Sequence, residues 1–119
     1  MKHLVVALVL GSTMSATAQT IPPSYRGEWN ENVAHCGTGL NDTRLRIAAN
    51  SIQFYESGGV IRAAVQRGPF ELAIIAELSG EGESWLSLRK FNLSSDGNRL
   101  TDSTNSRSGL TRYRCPVKK

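Results

Sequence analysis

His35 and Cys36 stand side by side in a chain whose only other cysteine is Cys115 and whose only other histidine is His3. Three chemistries could start there. An imidazole can take the proton of a thiol and make a nucleophile, it can be the base of a Ser-His-Asp arrangement, and with two thiolates it can hold zinc or copper. The surrounding sequence argues against each. No G-x-S-x-G turn presents a serine, and an adjacent His-Cys departs from the C-x-x-C spacing of structural zinc sites. A disulfide between Cys36 and Cys115 would remove both thiols and leave His35 as a surface-loop residue.

Glu81 and Glu83, two apart in the run GEGE, are the next candidates. Glycoside hydrolysis needs one carboxyl held protonated by burial, whereas water at a hairpin tip keeps both charged. A lone acidic turn also lacks the oxygen count of a tight calcium site. The pair reads as a solvated turn, or as a contact for a cation or a basic partner. No catalytic residue, metal or cofactor is therefore assigned, and a non-enzymatic protein is expected.

The disulfide depends on compartment, and the first residues supply one. Lys2 opens the chain, an apolar run follows from Leu4 to Leu10, and Ala16-Thr17-Ala18 ends the segment. That is the anatomy of a secretory leader cleaved after Ala18, its apolar run too short for a permanent anchor. Residues 1–18 are thus read as leader and 19–119 as one domain, periplasmic or secreted, with no cysteine at the cut to carry a lipid and no later transmembrane segment. A mature chain of this size buries only roughly 65% of its unfolded surface. In an oxidising compartment the two cysteines are expected to pair. They would close a loop spanning most of the chain, worth about 4 to 5 kcal/mol as an upper figure.

Charge excludes one partner class. Once Lys2 leaves with the leader, 13 basic residues face 10 acidic ones, too balanced and too interspersed for a nucleic-acid surface. The unevenness lies at the end, where Arg107, Arg112, Arg114, Lys118 and Lys119 follow one another without an acid. This segment is read as a solvated edge with one arginine packed inward, or as a docking strip for anionic envelope material.

Between the cysteines the apolar residues recur with period two, interrupted by turn residues every 8 to 12 positions. Leu45 and Ile47, then Ile52 and Phe54, share faces. Ile61, Ala63 and Val65 are expected inside, followed by Phe70, Leu72, Ile74, Ala76 and Leu78, then Leu86 and Leu88. Turns fall at Ser57-Gly58-Gly59, Gly68-Pro69, GEGE and Asp96-Gly97. About eight strands result, and no window carries a capped helical stripe. An all-β antiparallel meander, closed as an up-and-down barrel or folded as a sandwich, is expected.

With Leu86 and Leu88 inside, alternation turns Trp85 and Phe91 outward, where two aromatics could form a contact patch unless a bulge or a covering loop buries them. Tyr55, beside Phe54, is a third candidate contact. The inward set is mostly bulky, so the barrel interior reads as packed rather than hollow.

Gly27-Glu28-Trp29 resembles the G-x-W motif that opens lipocalin-like (calycin) barrels. Those families lay an arginine of the last strand across the indole, and Arg112 or Arg114 stands in the place of that residue. The resemblance implies that the first and last strands are neighbours, which the Cys36 to Cys115 bridge also requires, and that a ligand enters at one end. The expected function is binding of a small apolar or amphipathic molecule or of an envelope component. The alternative is a protein inhibitor or interaction module acting through hairpin loops, with Glu81, Glu83, Trp85 and Tyr55 among its contacts.

Overall fold

The computed structural model describes residues 20–39, 42–105 and 109–117. The leader and its cleavage site, Arg107, Lys118 and Lys119 lie outside the described residues. Eight strands follow one another: β1 (Gly27–Asn30), β2 (Leu45–Ile47), β3 (Ser51–Gln53), β4 (Gly58–Arg67), β5 (Glu71–Gly80), β6 (Glu83–Leu93), β7 (Arg99–Asp102) and β8 (Leu110–Arg114). Each pairs antiparallel with the next, and β8 returns to β1, so the expected up-and-down barrel forms and closes. Two single 3-10 turns, Pro23–Tyr25 and Val33–His35, are the helical segments among the described residues.

Closure is concentrated in a few side chains. The backbone register of β1 on β8 holds only two pairs, Trp29 with Arg114 and Asn30 with Tyr113. The Arg114 guanidinium lies 4.2 Å from the centre of the Trp29 ring, so of the two arginines offered by the sequence Arg114 is the stacking one. Its Nη1 and Nη2 donate to the carbonyls of Arg26 (2.8 Å) and Ser24 (2.7 Å), and its Nε to that of Gly97 (3.0 Å). Gly27 makes room for this: its φ is +125°, and a Cβ there would come within 3.1 Å of Arg114 Nη1. The indole N–H donates to the Tyr25 carbonyl at 3.0 Å. Just beyond, Cys115 is bonded to Cys36, 79 positions earlier, with their Cα atoms 5.7 Å apart.

These contacts also set a strap across one end. Ile21 and Tyr25 are fully buried, Ile21 N–H donates to the Ala49 carbonyl and the Tyr25 hydroxyl reaches that of Pro69. Above the strap the interior is filled by Trp29, Leu45, Ile47, Ile52, Leu72, Ile74, Phe91 and Leu100, all buried. The packed interior expected from side-chain size is present at this end.

Two stretches depart from strict alternation. In β4 the register shifts between Ile61, opposite Ala76, and Ala63, opposite Ile75, so Arg62 is an extra residue in a β-bulge. Beyond it the phase inverts: Ala64 is buried, while Val65, expected inside, is exposed. In β6 the inversion comes from the turn. Glu81 and Gly82 both have positive φ, 52° and 82°, the geometry of a two-residue type I′ hairpin. Gly80 therefore faces Glu83, and counting back sets Leu78 against Trp85, Ala76 against Ser87, Ile74 against Arg89 and Leu72 against Phe91. Opposed residues share a face. Leu86 and Leu88 are accordingly turned out, not in, at 68% and 56% exposure.

Trp29→Ala should cost about 3 to 5 kcal/mol, because it opens a cavity and removes the surface on which Arg114 rests. Chemical denaturation of the mature protein measures it; a loss within about 0.5 kcal/mol, the range of ordinary surface changes, would contradict the seam described.

Candidate binding site at the barrel rim

Among the described residues, the end opposite the strap is built by residues 31–39 and 42–44 between β1 and β2, the turn at residues 54–57, the β5–β6 hairpin and residues 103–105 after β7. Two of these touch. A Cβ on Gly80 would meet the Glu56 carbonyl oxygen at 2.6 Å, so only glycine permits the two hairpin tips to lie this close. Between them Glu56, Ser57, Gly80, Glu81, Glu83 and Trp85 enclose a hollow of about 360 Å³. Trp85 is the outermost aromatic of the inward row of β6, 42% exposed, with Leu78 buried directly across from it.

Beside Trp85 the inward rows turn polar. Arg89 lies over the Phe54 ring, 4.5 Å from its centre; its Nη1 meets Asp102 Oδ2 at 3.1 Å and its Nε donates to Ser87 Oγ at 3.2 Å. Asp102 Oδ1 accepts from Thr104 through both its N–H (3.1 Å) and its hydroxyl (2.6 Å). Arg112, opposite the buried Leu100, is itself only 6% exposed. Its Nε donates to the Thr43 carbonyl at 2.7 Å, and its Nη1 is buried without an acceptor. Burial pushes the Arg112 guanidinium below the usual arginine range, Asp102 pulls it back and Arg89 adds repulsion. The seam arginine, Arg114, is shifted the same way by burial alone.

A second hollow, beside the β1–β2 loop, is lined by Glu31, Asn32, His35, Gly39, Asp42, Thr43 and Tyr55. Asn32 Oδ1 caps the 3-10 turn by accepting from Ala34 N–H at 2.9 Å, and this turn carries His35 outward and Cys36 toward β8.

The structure thus brings Trp85, Glu81 and Glu83 together and sets Tyr55 on the neighbouring turn. Phe91 is a correction: it is fully buried against the core, because the hairpin register turns its whole row inward, so it offers no contact surface. Gly27, Trp29, Arg114, Cys36 and Cys115 form the seam, whereas Arg112 belongs to the interior cluster. Of the basic closing segment, both described members, Arg112 and Arg114, point into the molecule. Sulfur chemistry at Cys36 is closed by the disulfide, and no group of three metal-ligating side chains occurs among the described residues. No described helix is long and apolar enough to cross a membrane.

Alternation by hydrophobicity missed the cluster of Arg89, Asp102 and Arg112, three charged side chains on the rows of Ile74, Phe91 and Leu100. Ile75, an apolar residue between the inward positions of its strand, is exposed as its place in the alternation implies, but alternation missed how far the apolar strip extends: Ile75 opposes Ala63 and Leu88, and Val65 and Leu86 are exposed nearby. The signal was present in the turn: with Glu81-Gly82 as its centre, counting outward from Leu78 assigns every residue of β6. No family model matches the chain, and neither a curated protein nor a solved structure is significantly similar to it.

The inverted phase of β6 predicts opposite outcomes for its two kinds of apolar residue. Phe91→Ala should lower stability by about 3 to 5 kcal/mol, while Leu86→Ser should change it by no more than about 0.5 kcal/mol. Thermal denaturation of both variants checks the ordering, and a reversed order would restore the simple alternation.

Proposed function

We propose that the protein is a non-catalytic, exported barrel of lipocalin-like type that binds a small apolar or amphipathic molecule, or an envelope component, at the rim opposite the strap. The observation that carries this is Trp85: an inward-row indole left 42% exposed, above a packed core and beside the carboxylates of Glu56, Glu81 and Glu83. Large aromatics left open at a concave edge are typical anchors for ligands. The filled lower interior restricts the ligand to the rim end, so a small molecule, or the tip of a larger one, fits better than a long chain swallowed whole. The Cys36–Cys115 bridge and the leader-like first residues support export, and the G-x-W and Arg114 pairing supports the calycin likeness.

A second reading has its own observation. The strip of Val65, Ile75, Leu86 and Leu88, with the adjacent hairpin tips, is suited to an interaction module that engages another protein. The partner would then be captured by the intact protein and released by Leu86→Ser with Leu88→Ser, changes that leave the rim untouched.

The two tryptophans make the first reading testable without labels. Trp29 is fully buried and Trp85 is not, so acrylamide quenching reports on Trp85. Adding a lipid extract of the producing cell's envelope should protect it from quenching, and native mass spectrometry should show the added mass; unchanged quenching with no added mass would count against rim binding.

A further inference from the structure

We infer that a second copy of this chain pairs with the free edge of β6, strand against strand, around a two-fold axis at Trp85. This goes beyond rim binding and stands without it.

β6 is longer than the strand that covers it. It runs from Glu83 to Leu93 and is paired to β5 from Glu83 to Asn92, but β7 pairs only with Phe91, Asn92 and Leu93. Next along that edge comes Lys90, whose N–H donates to Thr104 Oγ1 and whose carbonyl accepts from Ser103 N–H, both at 2.9 Å. Backbone groups alternate sides along a strand, so Ser84, Leu86 and Leu88 turn their N–H and C=O groups the same way as Lys90. No described strand pairs with them there. A bare edge of this kind is a template for another strand, and proteins blunt such edges with bulges, prolines and charges. β4, which β3 leaves unpaired beyond Val60, is blunted in this way by the bulge at Arg62 and by Gln66 and Arg67. From Ser84 to Leu88, β6 has no such device.

A second copy is the occupant because the stretch fits itself. Antiparallel pairing about Trp85 sets Trp85 against Trp85, Ser84 against Leu86 and Glu83 against Ser87, so the free run of one copy lies wholly on that of the other. A centre further along the strand would drive the incoming hairpin tip against Ser103 and Thr104, which already hold Lys90. Ser84 and Leu86 of the two copies then exchange N–H to C=O bonds in both directions. The two indoles, each 42% exposed in a single copy, cover one another as a close cross-strand pair. On the outer face Leu86, 68% exposed, meets its symmetry mate diagonally, and the apolar strip continues from one copy into the next. Charge agrees. The acidic tip Glu81-Gly82-Glu83 of each copy ends beside Arg89 and Lys90 of the other, and Glu81, Glu83 and Lys90 have no ion pair among the described residues. The same patch serves both copies, as a two-fold interface requires, and its small size makes the dimer a weak one.

Sedimentation equilibrium and cysteine trapping test this together. Over roughly 10 µM to 1 mM, the range of weak interfaces, the average mass should rise toward twice that of the monomer. Leu86→Pro removes an N–H that faces the free edge, a loss that edge strands tolerate, so it should stay monomeric throughout with its fold intact by circular dichroism. Should Leu86→Pro fail to fold, Trp85→Glu, which opposes like charges at the axis, carries the same comparison. In a glutathione buffer Trp85→Cys should cross-link into a dimer at least tenfold faster than Leu88→Cys, because only position 85 faces its own copy within disulfide reach. A protein monomeric at every concentration, with no cross-linking of Trp85→Cys, would overturn the inference. A dimer that survives Leu86→Pro and cross-links faster through Leu88→Cys would overturn it too, placing the contact on the outer face. So would a monomer whose β6 edge captures a different protein and loses it on Leu86→Pro. Rim binding, read by quenching at low protein concentration, stands or falls separately from all three.

Discussion

The barrel depends on a seam that backbone hydrogen bonding alone would hold poorly. Two register pairs join β1 to β8, fewer than any long hairpin in the sheet supplies. What completes the closure is the Arg114 guanidinium, stacked on Trp29 and donating to three carbonyls from two separate segments. One side chain thereby ties the last strand to the strap that plugs the barrel and to the β6–β7 turn. A cation over an indole contributes about 0.5 to 2 kcal/mol, and hydrogen bonds to a charged donor about 1.5 to 3 kcal/mol each. The disulfide then limits how far the two strands can separate in the unfolded chain, which matters most for a loop this long.

That arrangement divides the molecule into two halves with different chemistry. Near the strap, apolar side chains fill the space between strands and Tyr25 and Ile21 seal it. Toward the rim the same inward rows change to Ser87, Arg89, Asp102 and Arg112. A small core gains nothing in stability from an arginine left with an unpaired buried N–H, and an apolar residue of like volume would be better tolerated.

How much of this was legible in the residues depended on which physical rule was applied to each stretch. Gly27, Trp29 and the terminal arginines pointed to neighbouring end strands, and the cysteine pair agreed, because both arguments concern which segments must meet. Strand number followed from turn spacing. The inward faces of β2, β3 and β5 followed from hydrophobicity, because these strands alternate cleanly; Phe70, expected inside with the β5 run, instead precedes the strand and is 45% exposed. β4 and β6 did not follow. In β4 the bulge at Arg62 inserts a residue that no periodicity announces. In β6, Leu86 and Leu88 outweighed a quieter and better signal, the two-residue turn that ties the strand to Leu78. Outward leucines are tolerated, whereas a hairpin register slip would turn Phe91 and Leu93 into water. The polar cluster stayed hidden for the same reason, since Arg89 appeared to lie on the outer face.

Native-state hydrogen exchange at the seam tests the central claim most directly. The Cys115 amide donates to the Glu28 carbonyl at 2.8 Å and the Arg114 amide to that of Asn98 at 3.0 Å. If the stacked arginine and the disulfide lock the closure, these two amides exchange only with global unfolding, at the same free energy as the core amides of Leu72 and Ile74. Exchange at the seam through a local opening of much lower free energy, with the core still protected, would show that the barrel stands without it.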